Sequence, residues 1–566
     1  MRTIWSLWQD ALVENRTRPA YLVQEDEGWR EVSQQEAAAA VDELAHGLLS
    51  LGLKKGDTFG ILSRTRLEWV LVDFALAQIG AVAAPIYPSS TPTECRYILE
   101  HANVVGCFVD EDEQLAKIGA NPPAHVYTLE TLPDLRALGR DHAAAHPDAL
   151  ERTRSEIGDD DLFTFIYTSG TTGPPKACMI LNRNYYDMVG RIDEIESFFL
   201  TTDVMLLYLP LAHNFGRLMH LLGAHLGYTV AFLPDPRQIG DVMPQVRPTV
   251  LPTVPRVLEK VHTAVSANFG AATGGKRRLI DWALDVGRSV SELRQRQEPV
   301  PAMLALKHRL ADRLIYSKVK ARLGGRLRAA ISGGAPLSKE IAEFFHTLDI
   351  LILEGYGQTE ETTASNVNRP DRFKFGTVGP AIPGIEVKTA EDGEILIKGP
   401  TVFAGYYNDE EATRAVLPGD GWLHTGDVGS IDEDGFLTVT DRKKDIIVTA
   451  GGKNVSPQNI ENLLKAIPWV SQALVVGDRR PYVVALLTLD EDEVAKLDGR
   501  EDVHELIRAA VDRANEGLAS FEQVRRYEIL DRDFSPERNE ITPTLKLKRR
   551  VVEEHFADEL EELYRD

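Results

Sequence analysis

The residues best suited to chemistry are Tyr167-Thr168-Ser169-Gly170-Thr171-Thr172-Gly173-Pro174-Pro175-Lys176, directly after an apolar run that ends at Ile166. Glycines let backbone N–H groups close on phosphate oxygens, hydroxyls add donors, and a lysine supplies a point charge. The string reads as a phosphate-binding loop of a particular kind. The Walker loop needs four residues between its glycines and a Gly-Lys-Ser/Thr ending, whereas two separate Gly170 from Gly173 here. No Ser-His-Asp or Cys-His set with a supporting context accompanies it.

Further strings follow in order. They are Leu209-Pro210-Leu211-Ala212-His213, Ser332-Gly333-Gly334-Ala335-Pro336, and Glu354-Gly355-Tyr356-Gly357-Gln358-Thr359-Glu360. Thr425-Gly426-Asp427, Asp441-Arg442-Lys443-Lys444-Asp445, Gly451-Gly452-Lys453-Asn454 and Thr542-Pro543-Thr544-Leu545-Lys546-Leu547-Lys548 complete the set. With the loop, they resemble the adenylate-forming superfamily of acyl-CoA synthetases, peptide-synthetase adenylation domains and firefly luciferase. The resemblance spans at least residues 163 to 550 and is nearest to the long-chain fatty acid–CoA ligases.

That resemblance implies roles. Thr168, Ser169, Gly170, Thr171, Thr172, Gly173 and Lys176 would hold phosphates. Gly333, Gly334, Ala335, Glu354, Gly355, Tyr356, Gly357 and Thr359 would line the adenylate pocket, with Tyr356 offering adenine an aromatic face. Asp427 would accept from the ribose hydroxyls, and Arg442 would pair with phosphate or ribose oxygens. Glu360, a hard oxygen ligand, and the Thr168 hydroxyl would hold Mg²⁺; the family register selects Glu360 over the adjacent Glu361. Lys546 would bridge the acyl carboxylate and the α-phosphate. Leu545 replaces the usual glycine there, which leaves Lys548 as the runner-up. Ala177 also stands where a glycine is usual. His213 falls at the acyl pocket, with a satisfied core histidine as an equal reading. Lys444 matches the hinge, and Gly451, Gly452 and Lys453 match the coenzyme A loop.

The implied activity is an ATP-dependent acyl-CoA synthetase, with ATP and coenzyme A as co-substrates and a fatty acid as the third. Chain length is read as long from the glycine-free Leu545-Lys546, from Leu323-Gly324-Gly325-Arg326-Leu327, and from Arg247-Pro248-Thr249 with Val254-Pro255-Arg256-Val257. Two rivals stand beside it: an acyl-AMP ligase that loads a carrier protein, and a catalytically silent nucleotide-binding regulator. Gly451-Gly452-Lys453-Asn454 favours the coenzyme A form, and retention of Glu360, Asp427, Arg442 and Lys546 argues against a silent protein.

These residues need a scaffold of α/β layers. Apolar strand-like runs alternate with amphipathic segments through the first 440 residues, which predicts parallel sheets. Residues 275–323 read as an inserted helical hairpin broken at Gln297–Pro301. Residues 376–440 carry turn signals such as Glu391-Asp392-Gly393 and predict a β-rich subdomain. The expected class is α/β: a large layered domain over 1–440, then a small mobile α+β domain over 441–566.

Composition bounds the rest. The chain has 566 residues, 43% hydrophobic and 26% charged, with a formal charge of −23. That charge argues against general affinity for nucleic acid or anionic lipid, though not against a local basic site. Cys95, Cys107 and Cys178 show no metal-ligand spacing and fit a reducing compartment. Asp10 and Glu14 interrupt the apolar stretch a signal peptide needs. The apolar run Trp69–Tyr87 is punctuated by Asp73, Gln78, Gly80 and Pro85 and reads as a buried helix followed by a strand. A cytoplasmic protein with transient contact to a membrane surface is expected.

Overall fold

The apolar runs pair into two large sheets. One has six strands, ordered in space as His125–Tyr127, Val104–Val109, Thr58–Leu62, Val82–Ile86, Leu162–Thr168 and Lys176–Leu181. All neighbours are parallel except the last two, an antiparallel pair in which Thr168 stands opposite Lys176. The other has eight strands, running from Asn366–Val367 through Leu351–Tyr356, Ala329–Ser332, Val250–Thr253, Val204–Leu207, Thr229–Phe232 and Tyr21–Glu25 to Gly28–Val32. It is parallel except at its two ends. Strands covered on both faces need apolar side chains throughout; every residue of Thr58–Leu62 and Val82–Ile86 is buried. The computed structural model describes all residues except 13–15, 27, 120, 169–173, 197, 496, 498–501, 543–545 and 566.

The run from Trp69 forms the helix Leu67–Ile79, buried everywhere but at Glu68, and then the strand Val82–Ile86. No helix among the described residues is long and apolar enough to cross a membrane. Cys95, Cys107 and Cys178 are buried and free.

The insertion is a hairpin of helices Gly274–Gln295 and Ala302–Ala311, the second continued by a π turn at Asp312–Tyr316 and a last helix Ser317–Arg322. It lies on the helix Lys339–Thr347. Ser291 Oγ meets His346 Nδ1 at 2.7 Å, and Tyr316 donates to the Ala283 carbonyl at 2.5 Å. Two of the strings taken as signs of chain length meet elsewhere. The Arg326 guanidinium donates to the Arg247 carbonyl at 2.8 Å, and Arg247 donates back to the Gly324 carbonyl at 3.3 Å. They clasp each other beside Thr249, whose hydroxyl holds Asp203 at 2.7 Å. The two strings thus pack against each other.

A third sheet of four antiparallel strands, Glu386–Thr389, Glu394–Lys398, Leu423–Ile431 and Leu437–Arg442, closes the large domain. Beyond it, Val470–Val476, Val483–Leu489 and Val524–Ile529 form a three-stranded sheet. Successive strand residues point to opposite faces. Ala473, Val475, Ala485 and Leu487 accordingly join one core with Ile460, Leu464 and Ile507. Leu474, Val484 and Leu486 join another with Val552, Phe556 and Leu560. The small domain thus has its own cores. It touches the large one through Asp490, whose Oδ2 lies 3.0 Å from the Arg256 guanidinium.

Candidate active site

Side chains from both domains converge at the end of the four-stranded sheet. Strand register sets Asp427 opposite Arg442, and the guanidinium Nε lies 3.2 Å from Asp427 Oδ1. Asp427 Oδ2 accepts from the Tyr356 hydroxyl at 2.8 Å and from the Gln358 amide at 2.5 Å. Gln358 also reaches the Thr425 carbonyl at 3.0 Å. One buried carboxylate therefore organises Tyr356, Gln358 and Arg442. Gln358 was visible in its motif but had no role assigned; the pairing across 69 residues of chain is what reveals it. Burial, then Asp427, pushes the Tyr356 phenol well up, so it stays a donor. Against the cost of burial, Asp427 and Glu360 hold the Arg442 guanidinium above its ordinary value.

Glu360 and Glu361 part company on a short 3₁₀ turn, Thr359–Glu361. Glu361 is fully buried, and its Oε1 accepts from the Gln358 N–H at 2.9 Å. Burial pushes its carboxyl well above the usual range, and its hydrogen bond serves the turn. Glu360 is only half-buried, and its Oε1 accepts from the Tyr406 hydroxyl at 2.6 Å. Gly357 is needed by this turn: a Cβ there would sit 2.0 Å from the Thr363 carbonyl oxygen. Thr359 takes part through its carbonyl, which accepts from Asn214 at 3.4 Å.

The segment read as a phosphate loop lies between the two strands of the antiparallel pair at the edge of the six-stranded sheet. Ser169, Gly170, Thr171, Thr172 and Gly173 lie outside the described residues. Its anchors are Thr168, whose hydroxyl reaches the Lys176 carbonyl at 3.5 Å, and Lys176, whose ammonium stands 5.1 Å over the Tyr406 ring. Cys178 is buried beside them, and burial, then the Glu360 carboxylate, pushes its thiol well up. Ala177 turns the other way. It is buried with Phe165 and Tyr167, so its methyl group packs into the sheet and leaves the loop alone.

Gly333 follows the strand Ala329–Ser332 and donates to the Thr253 carbonyl at 3.2 Å. Gly334, at φ +83°, and Ala335 are exposed beyond it. Gly355 follows Glu354 in its strand. Burial pushes the Glu354 carboxyl up to about 7, and its Oε1 accepts from the Leu337 N–H at 3.0 Å.

Lys546 enters from the small domain. Its N–H bonds Thr542 Oγ1 at 3.0 Å, and its carbonyl accepts from the Thr542 N–H at 2.8 Å. The residue is exposed at the edge of the small domain; burial of its ammonium, then Arg442, lowers its pKa. Asp427 and Glu360 act on it in the opposite sense. Lys546 is thus within electrostatic reach of Arg442, Asp427 and Glu360. Lys548 turns back to the Asn539 amide oxygen of its own domain. His213 caps the helix Asn214–Leu226, its Nδ1 accepting from the Phe215 N–H at 3.2 Å. Burial and then Lys546 push the imidazole down to about 4. The ring is neutral, with its proton on Nε2.

Lys444 follows Arg442 at the junction; burial, then Arg442, lowers its pKa. Gly451, Gly452 and Lys453 form an exposed turn between Ile447–Val448 and Asn454–Val455, tied by the Gly452 N–H to the Thr449 carbonyl at 2.8 Å. Lys453 lies 5.8 Å from the Phe521 ring of the same domain.

Known proteins share this arrangement of elements. The sequence profile of AMP-binding enzymes matches residues 8–407, and the profile of the AMP-binding enzyme C-terminal domain matches residues 444–566. The chain belongs to the AMP-binding enzyme family. It is 38% identical to a long-chain-fatty-acid–CoA ligase of Mycobacterium bovis, over 97% of this chain and 95% of that one. It is 31% identical to peroxisomal long chain acyl-CoA synthetase 6 of Arabidopsis thaliana, over 94% of this chain and 81% of that one. The adenylation domain of a carboxylate reductase from Mycobacterium chelonae has the same fold, with a TM-score of 0.77 at 23% identity over 100% of this chain and 91% of that one.

Proposed function

We propose that this enzyme activates a long-chain fatty acid as acyl-AMP and transfers the acyl group to coenzyme A, releasing pyrophosphate and then AMP. The observation that supports the reading is the buried Asp427, which gathers Tyr356, Gln358 and Arg442, with Lys546 of the small domain within electrostatic reach of the same group. A cation delivered by a separate domain suits a step that crowds negative charge only once. The fatty acid carboxylate attacks the α-phosphorus of ATP, and the protein's task is neutralisation and alignment.

In this reading Lys546 neutralises the acyl carboxylate and α-phosphate, and removal of one such donor typically costs about 10²- to 10³-fold in rate. Asp427 receives the ribose hydroxyls, Arg442 covers the phosphate side, and the anchors Thr168 and Lys176 hold the outgoing phosphates. Neutral His213 presents Nε2–H toward the acyl side. In the second step the thiol of coenzyme A attacks the acyl carbonyl and AMP leaves. Rotation about Lys444 withdraws Lys546 and brings Gly451, Gly452 and Lys453 forward.

Mg²⁺ fits the donors present. Among the described residues no group of three or more His, Cys, Asp or Glu could cage a metal. One free carboxylate oxygen on Glu360 and the Thr168 hydroxyl suit an ion held mainly by phosphate oxygens and water. When bound, the ion would neutralise charge on the departing pyrophosphate.

The test is coenzyme A-dependent AMP release across acids of increasing chain length. Maximal turnover with long-chain acids is expected, with Glu360→Ala losing acyl-AMP formation while remaining folded. Acyl-AMP formed but never passed to coenzyme A would favour a carrier-loading ligase, and no AMP with any acid would sink the reading.

A further inference from the structure

The helical insertion takes no part in the chemistry above, yet its surface is unlike the rest of the molecule. Residues 274–322 hold twelve lysines and arginines against five carboxylates, in a chain whose formal charge is −23. The helix Ala302–Ala311 exposes Met303 at 65%, Leu306 at 61% and Leu310 at 50%. These three recur at i, i+3 and i+7 and so share one helix face. No other helix places two large apolar side chains in solvent among the described residues.

Exposed cations border this row. Lys307, Arg309 and Arg313 flank it, and Lys318 and Arg322 extend the border; none of the five makes an ion pair among the described residues. The carboxylates are mostly used locally. Asp312 lies 2.9 Å from Lys320, Asp281 2.9 Å from Arg277, and Asp285 3.1 Å from Arg288. Only Glu292 and Glu298 of the five are left without an ion pair among the described residues.

We infer that this face docks on an anionic lipid surface. A convex helix with an apolar row inside a cationic border matches the interface of a bilayer, where apolar side chains enter the acyl boundary and lysine and arginine meet headgroup phosphates. A second copy of the chain is disfavoured because it would set two like-charged patches against each other. Nucleic acid would take the charge but leave the apolar row in water. From Ala302 to Arg322 the helical stretch is roughly 30 Å long, and three apolar side chains suffice for reversible attachment only. The hairpin rests on Lys339–Thr347, the helix just after Gly333–Ala335. Docking therefore sets the membrane against the helices that cover the adenylate segment, with Gly274–Gln295 and Lys339–Thr347 between the apolar row and Gly333–Ala335. Any benefit to substrate supply rests on the fatty acid reading; the docking itself does not.

The experiment is co-sedimentation of the full-length protein with vesicles of phosphatidylcholine alone or with one-third phosphatidylglycerol. Two variants accompany it, Leu306→Glu/Leu310→Glu and Arg309→Glu/Arg313→Glu, all four positions exposed. Wild type is expected to bind only the anionic vesicles, and less as salt rises. Each variant should bind about tenfold more weakly, while turnover of dispersed fatty acid without lipid is unchanged. The proposal is overturned by absent binding, by equal binding to neutral vesicles, or by binding that survives either variant. A patch-dependent dimer that excludes vesicles, or a DNA duplex bound independently of Leu306 and Leu310, would also overturn it. An inactive enzyme that still binds would strike the proposed function and leave the docking surface standing.

Discussion

The Tyr406 hydroxyl donates to Glu360 Oε1 at 2.6 Å. The backbone around Tyr406 is bonded to the strand that carries Lys176: Met179 donates to the Gly405 carbonyl at 2.9 Å, and Tyr407 to the Ala177 carbonyl at 2.9 Å. One tyrosine therefore ties the proposed metal ligand to the anchor of the phosphate loop. Burial, then Glu360, pushes its phenol far up, so it remains a donor throughout the working range.

Tyr406→Phe keeps the ring under Lys176 and removes only the bond to Glu360. A hydrogen bond to a charged group contributes about 1.5–3 kcal/mol, so acyl-AMP formation should fall at least about tenfold. The Mg²⁺ concentration for half-maximal rate should rise, because Glu360 is no longer held in place. An unchanged Mg²⁺ response would show that Tyr406 does not position Glu360.

Glu354 gives a pH dependence with a definite sign. Its folded-state pKa is raised to about 7, above the ordinary 4.5, by burial. A carboxyl with a raised folded pKa contributes stability that is fully present below about pH 4.5 and is lost as pH rises through about 7. Glu354→Gln removes the titration while keeping an acceptor for the Leu337 N–H. Its melting temperature should exceed wild type at pH 8.5, by a margin that is smaller at pH 5.5 and closes toward about pH 4.5. Equal melting curves at both pH values would mean that Glu354 is better solvated than its surroundings indicate.

The Arg256–Asp490 pair tests the domain arrangement. It crosses between domains, and both side chains are largely covered. An orientation that withdraws Lys546 must break or remake this contact. Arg256→Ala and Asp490→Ala should each slow acyl-AMP formation about two- to fivefold, in keeping with an ion pair of about 0.5–1 kcal/mol. The double variant should be no slower than either single one. Fully additive losses would show that the two residues act independently.

Much of this was legible in the sequence because it depends on short-range patterning. The fully buried strands read as apolar runs, the break at Gln297–Pro301 separated the insertion's two helices, and the turn signals marked the four-stranded sheet. The phosphate loop and Asp427 could be named because glycine, hydroxyl and carboxylate chemistry is compressed into a few residues. Tyr406 and Gln358 were not legible as partners. Each acquires its part through a side chain distant in sequence, Glu360 for one and Asp427 for the other. Where the Ala177 methyl group goes was not legible for a related reason. A departure from a glycine pattern suggests crowding of the loop, but strand alternation sends the methyl group into the core. The choice between Lys546 and Lys548 rested on register alone until the Asn539 contact gave Lys548 a place in its own domain.

The last prediction separates the two half-reactions. Lys546, whose ammonium feels Arg442, Asp427 and Glu360, is the cation proposed for joining carboxylate to α-phosphate. Lys546→Ala should lose acyl-AMP formation from acid and ATP by about 10²-fold or more, yet still convert supplied acyl-AMP and coenzyme A to thioester. Lys548→Ala should leave both steps near wild type. For the second step the choice of glycine matters. Gly452 has φ +71°, so any side chain there strains the backbone and confounds the result. Gly451 is free of that constraint, and a Cβ built on it would find its nearest neighbour, Thr449 Oγ1, at 3.9 Å. Gly451→Leu therefore adds bulk to the exposed loop without disturbing its fold, and should form acyl-AMP normally but stall at thioester formation. Two single-turnover measurements on each variant decide the matter. If Lys546→Ala and Gly451→Leu lose both half-reactions alike while folded, one domain orientation serves both steps and the rotation about Lys444 is wrong.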